Sequence, residues 1–202
     1  MAPQVVKLGG SLERSGDIRS LASRLSAAPG LVLVPGGGRF ADAVREAERP
    51  LALSGPACHR MAVLAMEQMA HALQDCAPAL RPCRTLGELN SAAHRRVTAL
   101  WFPAQMLLHH PEIPESWEVT SDSLACWLAR TLGAEQLVLV KAPGAPVPPS
   151  KRPEGAREWA ARGLVDAAFP MFADAFSGTI RLVAADDAAA LDRLFPPTAS
   201  AA

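Results

Sequence analysis

The chain reads as an α/β protein, a single-domain αβα sandwich with a central, mostly parallel sheet. Short β-type apolar runs alternate with helical stretches of ten or more residues, the spacing that βαβ units require. The first two strands each run into a glycine cluster, Gly9-Gly10 and Gly36-Gly37-Gly38, as strand-to-helix turns do. Length adds the third observation: 202 residues, 50% of them apolar, suffice for one sizeable core and fall short of two full domains.

Taken in order, Gln4–Leu8 is a strand closed by Gly9-Gly10-Ser11, and Ile18–Leu25 a short helix with Leu21 and Leu25 one turn apart. Leu31–Val34 is a second buried strand, then Pro35 and three glycines lead to a helix over Phe40–Ala47. A longer helix spans Pro56–Gln74, with Met61, Met66, Met69 and Leu73 as a core stripe. Arg81–Thr85 is a short strand, Gly87–His94 a helix, Val97–Phe102 a strand. Asp122–Leu132 is a helix that Thr120, Ser121 or Asp122 caps. Strands at Leu137–Lys141 and Ile180–Ala184 and a helix at Asp187–Phe195 complete the pattern. Pro143–Pro153 holds five prolines. The roughly 50 residues beyond it are marginal for a core of their own, so it is a loop on one domain covering 1–202. The tail, residues 196–202, is expected to fray.

Composition excludes several classes. The apolar fraction is too high for a disordered chain. Twenty Lys+Arg balance 20 Asp+Glu, without the basic excess of a nucleic-acid binder. No apolar run approaches the roughly 18 residues of a membrane span. Met1–Lys7 lacks the n- and h-regions of a signal peptide, which points to the cytoplasm. Cys58, Cys76, Cys83 and Cys126 show no C-x-x-C spacing and read as reduced, mostly buried thiols. The five histidines are scattered, and no metal site is expected.

The chemistry-bearing residues gather at strand ends. Val5-Val6-Lys7-Leu8-Gly9-Gly10-Ser11 delivers a lysine, two glycines and a hydroxyl from a buried strand. Glycines let backbone N–H groups approach a phosphate, and lysine supplies a point charge. Leu31–Arg39 repeats the device with Gly36, Gly37 and Gly38, and adds a guanidinium. Ligands of open parallel sheets bind beyond the carboxyl ends of the strands, so both turns should share one edge. Gly36, Gly38 and Ala41 also satisfy G-x-G-x-x-[GA], but the acid that a dinucleotide site needs about 20 residues on is missing from Ala57–Ala62. Thr120-Ser121-Asp122-Ser123 opens a helix, placing Asp122 to hold Lys7 or a metal-bound phosphate. His109 and His110, just past a strand, are further candidates for touching an acceptor.

In this order the pieces resemble the amino acid kinase superfamily. Lys7-Leu8-Gly9-Gly10-Ser11 is similar to its phosphate-cradling first turn and Val34–Gly38 to its acceptor-site turn. Thr120–Ser123 is similar to its helix start bearing an Asp, and Leu137–Gly144 to its nucleotide strand and loop. Within the superfamily Leu53–Ala70, Trp117–Ser123, Gly163–Asp166 and Phe169-Pro170 look most like the small kinases of methanofuran biosynthesis. Those convert [5-(aminomethyl)furan-3-yl]methyl phosphate to its diphosphate. Proline stands at 143, where the uridylate kinases have the acid of Lys-x-Asp-Gly. No Gly-Gly-Met…Lys segment supplies a second lysine, a place that Lys141 or Lys151 would fill.

The resemblance implies ATP and Mg2+ as cofactors and a homo-oligomer without nucleic acid or membrane. Lys7 and Asp122 are the implied catalytic pair. Gly9, Gly10, Ser11, Lys141, Gly144 and Lys151 would hold the nucleotide. Gly36, Gly37, Gly38, Arg39, Thr120 and Ser121 would seat the acceptor, with Asp42 or Glu67 facing its aminomethyl arm. Kinases for a nucleoside monophosphate, carbamate or isopentenyl phosphate, and an oxoanion-storage relative without turnover, remain alternatives.

Overall fold

A computed structural model describes residues 3–15, 17–147 and 155–196. Lys151, most of the proline-rich loop and the tail from 197 onward lie outside the described residues. Six strands form one parallel sheet: β1 (Gln4–Leu8), β2 (Leu31–Pro35), β3 (Arg81–Cys83), β4 (Ala99–Trp101), β5 (Gln136–Lys141) and β6 (Thr179–Ala184), in the order β3-β4-β2-β1-β5-β6. The strands are short and almost wholly apolar because both faces are covered. One face carries Val5, Val32, Val34, Leu137 and Leu139; the other carries Val6, Leu8, Leu33, Val138 and Val140. Each such side chain, fully buried, contributes roughly 1.5–3 kcal/mol.

The helices are α1 (Leu12–Ser15), α2 (Asp17–Ser26), α3 (Gly38–Glu48), α4 (Gly55–Cys76), α5 (Leu86–His94), α6 (Ala104–Leu107), α7 (Ser121–Thr131), α8 (Ala156–Ala161), α9 (Phe169–Asp174) and α10 (Ala188–Leu194). Local chemistry sets several starts. Ser54 accepts from Ala57 N with Pro56 in the first turn of α4, and Thr85 with Glu88 closes a capping box on α5.

The sheet and the long helices agree with the sequence reading, with local corrections. The strand expected over Val97–Phe102 pairs only at Ala99–Trp101, because β3, its outer neighbour, is three residues long. The short helices α1, α6, α8 and α9 went unforeseen, since four to six residues are too few to show a period of 3.6. Met66, Met69 and Leu73 are core, but Met61 faces outward. No helix among the described residues is long and apolar enough to cross a membrane. The four cysteines are unpaired, three of them buried. Burial pushes Cys83 up to about 11 and Cys126 up to about 12.

Candidate active site

β1 lies where the strand order reverses, with β2 on one side and β5 on the other. The crevice beyond the strand ends at such a point is where open α/β sheets bind ligands. Lys7 pairs in register with Leu139, so Lys141, two residues further along β5, projects on the same face as Lys7. That face is covered by α7, which packs on β1 and β5. Asp122, in the first turn of α7, stands above both lysines.

The three side chains form a buried cluster. Lys7 Nζ lies 2.8 Å from Asp122 Oδ1, and Lys141 Nζ donates to Asp122 Oδ2 at 2.8 Å. Lys7 and Asp122 are only 5% and 7% exposed, so neither charge survives there without a partner. Burial alone would push the Asp122 carboxyl up, but the charges of Lys141 and Lys7 hold it at about 2. Burial pulls Lys141 down from the ordinary lysine value against the opposing attraction of Asp122.

The helix that carries Asp122 is anchored from elsewhere. Thr120, at its N-cap, makes no cap bond with its own side chain. The carboxylate of Asp166, beyond α8, instead accepts from Thr120 N at 3.1 Å, Thr120 Oγ1 at 2.8 Å and Ser123 N at 3.0 Å, and also from Ser123 Oγ. Burial and the charge of Asp122 push the Asp166 carboxyl up, against those hydrogen bonds.

The two glycine turns touch. A Cβ on Gly10 would lie 2.3 Å from Gly38 N, and one on Gly36 would lie 2.4 Å from Gly10 N. Only glycine permits that approach. Gly36 N donates to Leu8 O and Gly9 N to Val140 O, tying both turns to the strand ends. Beside them opens a cavity of about 300 Å³. Its rim holds Gly10, Ser11, Gly37, Gly38, Thr120 and Ser121, and its floor Val63, Met66 and Leu124.

The structure thus brings Lys7, Lys141 and Asp122 together and sets Gly10, Ser11, Gly37 and Gly38 around a cavity that neither these three charged residues nor Gly9 and Gly36 line. The other sequence candidates divide between this cavity and places outside it. Arg39 donates from both its backbone N and its Nε to Glu13 Oε1 at 3.0 Å and does not line the cavity. Gly144 turns at φ +69° and donates its N–H to Asp186. Asp42 lines the cavity and Glu67 does not. His109 lies 3.5 Å from Glu115 and His110 stands edge-on to Trp127, both away from the cavity. Sequence reasoning gave no role to Arg14, Arg45, His59 or Trp117, which also line it, nor to Asp166. No spacing marks Arg14 or Arg45, and His59 and Trp117 sit in segments likened to the methanofuran kinases without a motif to show what they line. Asp166 sits in the segment likened to the methanofuran kinases, without a motif to show what it bonds.

Residues 3–142 match the amino acid kinase family. The chain belongs to that family. A curated relative, [5-(aminomethyl)furan-3-yl]methyl phosphate kinase of Methanocaldococcus jannaschii, is 27% identical over 138 residues, 67% of this chain and 63% of the relative. The matched part is therefore less than two thirds of that protein. Among solved structures, the uridylate kinase of Archaeoglobus fulgidus superposes with a TM-score of 0.65 at 18% identity, covering 91% of this chain and 93% of the other. The carbamate kinase of Giardia lamblia bound to AMP-PNP superposes with a TM-score of 0.57 at 14% identity, over 98% of this chain and 97% of its own. At these identities the two structures share the amino acid kinase fold.

Proposed function

We propose that the protein transfers the γ-phosphoryl group of ATP to a small phosphomonoester, with [5-(aminomethyl)furan-3-yl]methyl phosphate the favoured acceptor. The observation that carries this reading is the backbone contact between the two glycine turns beside Lys7 and Lys141. On this reading the two touching turns are phosphate cradles, and Lys7 lies close against the first of them. Gly9, Gly10 and Ser11 hold the donor phosphates through backbone N–H groups, and Gly36, Gly37, Gly38, Thr120 and Ser121 border the acceptor. An acceptor oxygen attacks the γ-phosphorus as the bond to the β–γ bridging oxygen breaks, and ADP departs. A phosphate oxygen is already anionic near neutral pH, so no general base is required. Positioning and charge stabilisation carry the step. Lys7 and Lys141 stabilise the charge on the transferred group, and Asp122 holds both ammoniums in place.

Mg2+ would neutralise part of the phosphate charge. Among the described residues no group of three His, Cys, Asp or Glu is placed to hold a metal, and both Asp122 oxygens face lysines. A divalent ion here would take most of its ligands from the phosphates it accompanies. The cavity volume, at the small end of ligand sites, favours a compact acceptor over a nucleotide. ADP release measured with the furan phosphate, its alcohol, uridine monophosphate and carbamate tests the reading. Turnover highest with the furan phosphate is expected. Preference for another acceptor replaces it, and nucleotide binding without transfer to any acceptor makes the protein a non-catalytic binder.

A further inference from the structure

We infer that Arg14, Asp42 and Arg45 form the clamp that grips the acceptor's phosphate, an inference that rests on the phosphomonoester reading above. Asp42 Oδ1 accepts from Arg45 Nη1 at 2.7 Å, and its Oδ2 accepts from Arg14 Nη2. All three residues line the cavity. Two guanidiniums share one carboxylate, so the mouth carries a net positive charge, and each guanidinium keeps N–H donors that Asp42 does not use. Arg45 is further set by Trp117, whose ring centroid lies 5.1 Å from its guanidinium carbon.

The alternative cation, Arg39, pairs with Glu13 and does not line the cavity. Arg14 and Arg45 are 67% and 51% exposed at the side chain, and ion pairs that open to water contribute little to stability. Their convergence on a concave site therefore has a better explanation in ligand binding than in folding. The stoichiometry fits a phosphomonoester. It has three terminal oxygens: one attacks, and two remain for two planar guanidinium forks. A carboxylate acceptor would have one oxygen left. Arg14 borders the cavity with Gly10 and Ser11 of the donor turn, while Arg45 stands by Trp117, so the phosphate is gripped between the donor cradle and the apolar floor.

Steady-state kinetics with the furan phosphate and ATP test the clamp in Arg14→Ala, Arg45→Ala and Arg39→Ala proteins. Arg14→Ala and Arg45→Ala should each raise the acceptor KM by about tenfold or more, with the ATP KM changed less than about twofold. Arg14→Lys and Arg45→Lys should recover part of the loss. The double variant should lose less than the product of the two, because both residues share Asp42. An acceptor KM unmoved in both variants overturns the clamp, as does a rise found only with Arg39→Ala or confined to the ATP KM. If the wild-type protein transfers nothing, the kinase reading fails and calorimetric titration with benzyl phosphate, without nucleotide, judges the clamp separately. Binding lost in both arginine variants upholds it; equal binding in the variants, or none to the wild type, overturns it.

Discussion

Asp122 meets Lys7 with one carboxylate oxygen at 2.8 Å and gives the other to a different lysine. The cluster thus holds two positive charges and one negative, and its members are not equivalent under mutation. Lys7→Met leaves a neutral Lys141–Asp122 pair, so the melting temperature should change little. Under the proposed mechanism the charge facing the transferred phosphoryl group falls, and kcat should drop by more than about 100-fold. Near-normal turnover in this variant would remove Lys7 from the mechanism.

Asp122→Asn should do the reverse to stability. It leaves two buried ammoniums with no paired carboxylate, only the field of Asp166 acting on Lys141, and breaking a buried pair in this way costs about 3–5 kcal/mol. Chemical denaturation should show that loss, well beyond the effect of Lys7→Met. If the two variants prove equally stable, the cluster is not held by its charges.

Acid stability follows from the same carboxylate. Its pKa in the folded protein, about 2, lies below the ordinary 3.8, so ionised Asp122 stabilises the fold fully above 3.8. That contribution is lost as pH falls from about 4 through 2. Asp166 has the opposite sign: its raised value means that ionising it costs stability as pH climbs past the ordinary carboxylate range. Denaturation midpoints across pH 2–6 should therefore show a steep acid limb in the wild type that flattens in Asp122→Asn.

Asp166 also predicts a kinetic effect without touching substrate. Asp166→Asn turns an acceptor of four hydrogen bonds into a group with its own N–H donors. The first turn of α7 should loosen, with kcat falling about tenfold, as when a supporting partner of a site residue is lost. The ATP KM should move much less. A change in both KM values with kcat intact would show that Asp166 does not act through Asp122.

Gly10→Ala should separate the two turns. Its Cβ would fall 2.3 Å from Gly38 N, a backbone atom that cannot step aside alone. Transfer should be lost and nucleotide affinity should fall with it, since Gly10 belongs to the proposed donor cradle; an alanine variant with normal turnover would show that the contact is unnecessary.

The sheet was legible because its strands are nearly pure apolar runs, and the two glycine turns because close backbone approach leaves a residue signature. Lys7, Lys141 and Asp122 were each visible as residues at element ends. The pairing of Asp122 with Lys7 was among the roles expected of the start of α7; that Lys141 joins them was not, because it depends on β5 lying beside β1 in a register that pairs Lys7 with Leu139, which no local pattern encodes. The Arg14–Asp42–Arg45 group was hidden for a similar reason. Surface arginines on short or amphipathic helices carry no periodic mark, and Arg39 drew attention by following the glycines directly. Its engagement with Glu13 needs the three-dimensional path of α1.

The dependence of α7 on Asp166 gives the chain an order of completion. During synthesis Lys7, the glycine turns and Asp122 all emerge before Asp166, and the family-matched stretch ends at residue 142. A nascent chain therefore holds Lys7, the glycine turns and Asp122 well before it holds the residue that fixes the helix carrying Asp122. The Lys7–Asp122–Lys141 cluster is finished by a segment outside that stretch, so a ribosome-tethered intermediate stalled before Asp166 has the three charged residues without the carboxylate that anchors α7.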